Sequence, residues 1–251
     1  MSDTAQPLAN RVILITGAGG GIGSVVASAV AAAGAECILL GRTLAHLEST
    51  YDSIVSAGGP EPALFPLDLT RAGDNDYTKL INGIHSDCGR LDGIVHLAAH
   101  FDALMPLASF PIDDWKRTMH VNATSAFALT QLCLPLLREA DDASVLFAAD
   151  TPAANKAFWG AYAASKAALL SLTRLFALEY GQHPNMHFNA IEPGPRATGL
   201  RKKAFPNDDP AAQPVEELAQ LFVYCLHPGE DGPTGHLFDT DGSSREIHVT
   251  T

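Results

Sequence analysis

The chain has 251 residues, 47% of them hydrophobic and 18% charged, with a mean hydropathy of +0.08. That balance belongs to a well-packed globular protein and excludes disorder, collagen and coiled coil. Lys plus Arg is 16 against 28 for Asp plus Glu, a formal charge of −12, which argues against nucleic acid or an anionic membrane as partner, since both demand a basic face.

Arg11–Thr16 is a short β-branched apolar run without alternation, the pattern of a strand buried on both faces. Glycines follow, then a helix over Ile22–Ala33 ended by Gly34, and a second strand at Cys37–Leu40. The alternation continues with a helix over Leu44–Ser56, a strand at Ala63–Pro66, a helix over Tyr77–Cys88 and a strand at Gly93–Leu97. A long helix within Asp113–Leu137, a strand at Ser144–Ala148, a helix over Ala161–Tyr180 and a strand at His187–Ile191 complete the core. The tail adds a helix over Val215–Leu226 and a seventh strand at His236–Phe238. Strand and helix taking turns predicts a parallel seven-stranded sheet with helices on both faces. No linker or repeat interrupts the pattern, so residues 1–251 are expected to form one α/β domain. The long irregular stretch is Pro193–Pro214, and a loop of that length in a compact domain suits a lid over a ligand.

The four cysteines, Cys37, Cys88, Cys133 and Cys225, form no C-x-x-C pair and are expected to be buried free thiols in a reducing compartment. The first seven residues lack the charges and apolar core of a signal peptide, and the most apolar stretch, Val25–Ala35, is too short to span a bilayer. Together these point to a cytoplasmic protein with no membrane partner.

The first strand runs into Thr16-Gly17-Ala18-Gly19-Gly20-Gly21-Ile22-Gly23. This is G-x-x-x-G-x-G rather than G-x-G-x-x-G, but the physics is shared: glycines allow a tight turn, and free N–H groups at the helix start receive a pyrophosphate. Gly41-Arg42 follows the second strand, where NAD-preferring folds place a carboxylate for the ribose 2′-OH. Arg42 suits a 2′-phosphate instead, which favours NADP(H) while leaving NAD possible. Asp68 suits either the adenine amino group or a helix N-cap. Tyr162 and Lys166 are four apart, on one face of a helix, where an ammonium stabilises a phenolate. His183 and His187 share that spacing, but Pro184 breaks the helix and no metal is expected. Lys202-Lys203 reads as a solvated pair.

With these residues in hand the chain resembles the short-chain dehydrogenase/reductase family from Val12 to Phe238, a single doubly wound Rossmann domain. Asn122 and the segment Asn189–Gly194 with Thr198 belong to the same likeness. Gly160–Lys166, Ala128–Gln131 and Ala204–Pro206 look especially like its YciK-type branch. The resemblance implies that Tyr162 moves the proton, that Lys166 lowers its pKa and binds the nicotinamide ribose, and that Asn122 holds a relay water. It implies further that Ile191 and Thr198 contact the carboxamide. Gly17, Gly19, Gly20, Gly21, Ile22, Gly23, Arg42, Asp68, Leu69, Ala98, Pro193 and Gly194, with Tyr162, Lys166 and Thr198, would make up the cofactor site. A homodimer or homotetramer built through the helices of residues 113–137 and 161–180 would follow.

Two departures stand out. The family's catalytic serine lies thirteen residues before the tyrosine, which here is Ala149, flanked by Asp150. Asp150, if it points inward, opposes ionisation of Tyr162; Thr151 substitutes for the serine only if the backbone shifts by two residues. Where the family has Asn-Ala-Gly after the fourth strand, this chain has Leu97-Ala98-Ala99, then His100, which is either a satisfied loop histidine or a replacement donor. The expected function is NADP(H)-dependent hydride transfer between nicotinamide and a small carbonyl or alcohol substrate. The alternative is a catalytically impaired dinucleotide-binding protein acting as sensor or scaffold.

Overall fold

The strand at Val12–Thr16 (β1) alternates its side chains between two cores: Val12 and Leu14 join one apolar cluster, Ile13 and Ile15 the other. Because successive strand residues point to opposite faces, a run buried on both sides needs no polar alternation. In the computed structural model, which describes residues 6–207, 211–229 and 231–248, this strand sits near the centre of an eight-stranded sheet of order β3-β2-β1-β4-β5-β6-β7-β8. The other strands are Glu36–Gly41 (β2), Ala63–Pro66 (β3), Gly93–His96 (β4), Ala143–Ala148 (β5), Met186–Ile191 (β6), His236–Phe238 (β7) and Ser244–Glu246 (β8). Neighbouring strands from β3 to β7 pair in parallel.

The first seven strands are those expected; β8 is an addition that the sequence did not suggest. It pairs antiparallel to β7, and its residues are exposed and polar, an edge that apolar patterning does not mark. Helices Gly21–Ala32 (α1), Leu44–Ser56 (α2), Asp74–Asp87 (α3), Ile112–Met119 (α4), Ser125–Glu139 (α5), Thr151–Ala154 (α6), Gly160–Tyr180 (α7), Gly199–Ala204 (α8) and Ala219–Cys225 (α9) connect the strands. Packed on one face are Leu80 of α3, Leu129 of α5 and Phe176 of α7; on the other are Val26 and Val30 of α1, Leu47 of α2 and Phe222 of α9.

Three expectations are corrected. The helix expected within residues 113–137 is interrupted by a π-turn, His120–Thr124, which sets Asn122 at its centre; such turns interrupt the hydrogen-bond ladder without breaking the apolar stripe. The stretch 193–214 is not wholly irregular, since α8 lies within it, capped by the Thr198 side chain accepting from Arg201 N–H. Its residues 208–210 lie outside the described residues, as do residues 1–5 of the expected leaderless N-terminus. Cys37, Cys133 and Cys225 are buried free thiols as expected, whereas Cys88 is only half-buried.

The strand order reverses between β1 and β4, so their carboxyl ends diverge and open a crevice, the ligand position of open α/β sheets. Thr16 stitches its floor: its hydroxyl accepts from the N–H groups of Leu97 and Ala98 at 3.1 and 3.2 Å. That bond ties β1 to the chain after β4, where the asparagine of the family pattern is missing.

Candidate active site

Above this floor lies a cleft of about 460 Å³. Its first wall is backbone. Gly17 turns the chain out of β1 with φ +72°, and a Cβ there would come within 2.8 Å of Ala98 N. Gly23 is tighter still: a Cβ would lie 2.1 Å from the Gly17 carbonyl oxygen, so the helix start is pressed directly onto the turn. Helix α1 begins after Gly20 with no side chain capping it and no acidic residue in its first turn. Its leading N–H groups and the positive end of its dipole are therefore left to the cleft. Arg42 is exposed at the end of β2 and, with Asp68, lines the same wall. Asp68 turns back on its own chain, accepting from Thr70 N–H at 3.0 Å and the Thr70 hydroxyl at 2.8 Å. Burial works against its ionisation, but these bonds and the nearby Arg42 and Arg71 hold its carboxyl below the usual range.

The second wall is made of side chains from the ends of β4, β5 and β6 and the start of α7. Tyr162 and Lys166 are both buried, and the Lys166 ammonium lies 5.6 Å from the Tyr162 ring centroid. Lys166 donates to the Ala148 carbonyl at 2.6 Å. Burial lowers its pKa to about 8, with Asp150 and Glu192 opposing.

Asp150 points inward. Its position as N-cap of α6 fixes it: one carboxylate oxygen accepts from Ala153 N–H at 2.9 Å, and the other accepts from the Tyr162 hydroxyl at 3.2 Å. Burial first, then the charge and hydrogen bond of Asp150, then Glu192, hold the Tyr162 phenol well above its ordinary value; Arg201 pulls weakly the other way. The lowering expected of Lys166 does not prevail. Ala149, thirteen residues before Tyr162, lines the cleft but offers no polar atom on its side chain, which packs with Ala190, Leu237 and Ile247. The side chain beside the Tyr162 hydroxyl thus belongs to the next residue along. Thr151 does not substitute, because its hydroxyl and N–H are both committed to Glu192, at 2.8 and 2.5 Å.

The remaining predicted residues are placed as follows. Gly19, Gly20, Gly21, Ile22, Leu69, Ala98, Pro193, Gly194 and Thr198 line the cleft. Asn122 and Ile191 are not among the described residues lining it. Asn122 is a clamp: its side chain accepts from His100 N–H at 2.6 Å and donates to the His100 carbonyl at 3.0 Å and to Ser165 Oγ at 2.9 Å. Ile191 is fully buried in β6, and its carbonyl accepts from Ala149 N–H at 2.8 Å. His100 lines the cleft with its ring held to Asp102 at 2.9 Å.

Lys202 is exposed as expected, but Lys203 reaches Phe101 O at 3.5 Å and lines the cleft. His183 and His187 belong to no group able to hold a metal among the described residues. Sequence reasoning missed Phe101, Trp159 and Arg196. Trp159 stands three residues before Tyr162, one turn earlier on the same helix face, a spacing that would have found it. Arg196 is buried and pins the loop after β6, donating to the carbonyls of Pro193 and Pro214, each at 2.7 Å.

A glycine-built helix start faces a Tyr/Lys pair across one crevice, and comparison with known proteins gives the family of the chain. The family model for short chain dehydrogenase matches residues 11–209. The chain belongs to the short chain dehydrogenase family. Within it, the chain is 35% identical over 234 residues to the uncharacterized oxidoreductase YciK of Escherichia coli K12, covering 92% of each. A solved structure of an oxidoreductase, yciK from E. coli, matches with TM-score 0.89 and 34% identity over 95% of this chain and 98% of that one. Another, a Shigella flexneri 2a short chain dehydrogenase complexed with NADP, matches with TM-score 0.89 and 33% identity over 95% of this chain and all of that one. The doubly wound Rossmann architecture and the oxidoreductase class expected from the sequence are those of these short chain dehydrogenases. No described helix is long and apolar enough to cross a membrane.

Proposed function

We propose that this short chain dehydrogenase is an NADP(H)-dependent oxidoreductase that passes a hydride between nicotinamide and a small substrate held beside Tyr162. The carrying observation is the uncapped, glycine-packed start of α1 opening into the same cleft as Tyr162 and Lys166. The residues fit a dinucleotide: a Cβ at Gly23 would fill the turn, and a helix N-terminus without a cap is an anion site. Residues 17 to 23 would hold the pyrophosphate, Arg42 the 2′-phosphate, Asp68 and Leu69 the adenine, and Ala98 with Pro193, Gly194 and Thr198 the nicotinamide side. The NADP complex of the Shigella flexneri relative supports the phosphorylated form. When bound, the cofactor supplies or accepts the hydride, and the protein supplies position and charge. Lys166 orients the ribose, Tyr162 holds a proton at its hydroxyl, and Asn122 keeps the loop after β4 against α7. In the family's usual chemistry the substrate pair is a carbonyl and its alcohol.

A second reading, a catalytically impaired dinucleotide binder acting as sensor or scaffold, is favoured by one observation: the Tyr162 hydroxyl is engaged by a carboxylate. The remaining parts of the reading are one domain over residues 1–251, a homodimer or homotetramer, and a cytoplasmic site of action. Calorimetry with NADPH, followed by NADPH oxidation against ketones, aldehydes, quinones and imines, decides between the two. Binding with turnover supports the oxidoreductase, binding without any turnover supports the sensor, and absence of binding overturns both.

A further inference from the structure

A carbonyl being reduced gathers negative charge on oxygen, and a site built for it offers donors where that charge develops. Here the groups around the Tyr162 hydroxyl make the opposite offer. The nearest partner is the Asp150 carboxylate, an acceptor only, at 3.2 Å, and it already accepts the hydrogen bond of the tyrosine hydroxyl. Its other oxygen is tied to the α6 cap, so the group cannot swing away without uncapping that helix. Ala149 offers no hydroxyl, and Thr151 is committed to Glu192.

A second observation points the same way. Phe101, Trp159 and Tyr162 form a trio of rings with centroids 5.3 to 5.6 Å apart, and all three line the cleft beside Asp150. Aromatic faces next to a carboxylate are the chemistry that recognises a positively charged nitrogen.

The cations Lys166, Lys203, Arg196 and Arg201 each have a bond or ring contact of their own, while Lys166 and Arg201 stay within electrostatic range of Asp150 and Tyr162. Lys166 donates to Ala148 O, Lys203 reaches Phe101 O, and Arg196 bonds the Pro193 and Pro214 carbonyls. The Arg201 guanidinium lies over the Phe205 ring at 4.2 Å.

We infer that the double bond reduced here is a protonated imine, C=N–H⁺, with Asp150 and the aromatic trio holding the cationic nitrogen. The inference rests on the proposed cofactor reading. The step balances without a proton from Tyr162. The substrate carbon accepts the hydride, the C=N π pair becomes the nitrogen lone pair, the nicotinamide is oxidised, and a neutral amine leaves with the proton it brought. Burial and Asp150 keep the Tyr162 phenol protonated, which suits a reaction that asks for no phenolate.

The test compares a cyclic ammonium with its neutral ether of the same shape. In calorimetry on the NADP⁺-loaded protein, pyrrolidinium is expected to bind about tenfold or more tighter than tetrahydrofuran, the size of a charge-assisted contact. In Asp150→Asn that preference should fall to about threefold or less. Asparagine keeps the helix cap, and retained NADPH affinity verifies the fold. The wild-type protein gives an independent arm: 1-pyrroline should be reduced about tenfold or more faster than cyclopentanone, where a charged contact replaces a repulsive one. Equal binding of the ether, a preference that survives Asp150→Asn, or faster reduction of the ketone each overturns the inference. NADPH affinity separates the two failures: if NADPH binds and the cation preference is absent, only the imine inference falls. If NADPH does not bind, the cofactor reading itself fails.

Discussion

The two walls of the cleft solve their problems with different parts of the chain. The cofactor wall is backbone: a helix start pressed against the Gly17 carbonyl, N–H groups left uncapped, and Arg42 placed by the end of β2. The reaction wall is side chains, each fixed by a neighbour: Asp150 by the α6 cap, Asn122 by His100 and Ser165, Lys166 by Ala148. Backbone geometry tolerates little variation, because a single methyl group at Gly17 or Gly23 would collide with neighbouring backbone. A side-chain wall tolerates a change of chemistry without a change of fold, since one side chain replaces another on the same backbone. The difference explains how a chain keeps the dinucleotide turn of its family while altering the group beside the tyrosine.

The strongest way to break the comparison is Gly23→Ala. The added Cβ would lie 2.1 Å from a backbone oxygen, which cannot move without opening the turn. NADPH affinity should fall by about a hundredfold or more, since several backbone contacts are displaced together. Calorimetry that finds affinity within threefold of wild type would show that the wall is more compliant than its packing indicates.

On the reaction wall the matching change is Asp150→Ser, which exchanges the acceptor beside Tyr162 for a donor and retains an N-cap residue. Ketone reduction should rise by about 10²-fold, the value of one oxyanion donor. NADPH affinity should stay within about threefold, because no cofactor contact is proposed for Asp150. Ala149→Ser is the control. Ala149 lines the cleft, but its side chain packs with Ala190, Leu237 and Ile247, so a hydroxyl there should raise the rate less than Asp150→Ser does and cost about 1–3 kcal/mol of stability for a buried polar group. A rate gain from Ala149→Ser and none from Asp150→Ser would reverse the assignment of the two positions.

A smaller effect belongs to Arg42. Replacing it by Asp removes a charge-assisted contact with a 2′-phosphate, which corresponds to about 10- to 100-fold in NADPH affinity. NADH affinity should change little, and equal losses for both cofactors would remove Arg42 from that role.

The backbone wall was also the legible one. Glycines at 17, 21 and 23 between a strand and a helix announce the turn, and Tyr162 with Lys166 at helical spacing announces the pair. Central strands such as β1, β4, β5 and β6 were readable because a parallel strand buried on both faces is a continuous apolar run. The eighth was not, since Ser244–Glu246 is a polar edge paired only to β7. Asp150 was legible as a residue but not as an orientation. Its inward turn depends on capping α6, a helix of four residues too short to leave a periodic signal. Thirteen residues counted back from Tyr162 reached Ala149 instead, because counting locates a backbone position and says nothing about which neighbour faces the phenol. The π-turn that centres Asn122 was hidden for a related reason: one extra residue in a turn leaves the apolar pattern almost intact.

The sheet beneath both walls offers the mildest test, and it concerns protons. His96 ends β4, shares a 2.9 Å hydrogen bond with Thr130 Oγ1 and stacks on Phe147 with ring centroids 5.0 Å apart. Burial pulls its imidazole down to about 3 from an ordinary value of 6.5. The unfolded chain therefore takes up a proton near pH 6.5 that the folded chain refuses until about pH 3. Stability from this group is fully present above pH 6.5 and is lost as pH falls through that window, by up to about 1.4 kcal/mol per unit. Glu192 works against this trend, because burial raises its pKa and makes its protonated form the easier one to bury. His187, lowered chiefly by burial, works with it. Denaturant titrations at pH 7 and pH 5 isolate His96 if wild type is compared with His96→Asn. The variant is less stable at pH 7 through lost stacking on Phe147, but it should lose about 1–2 kcal/mol less on acidification. Equal losses in the two proteins would mean that His96 is protonated in the folded sheet and that the floor of the cleft is wetter than its packing requires.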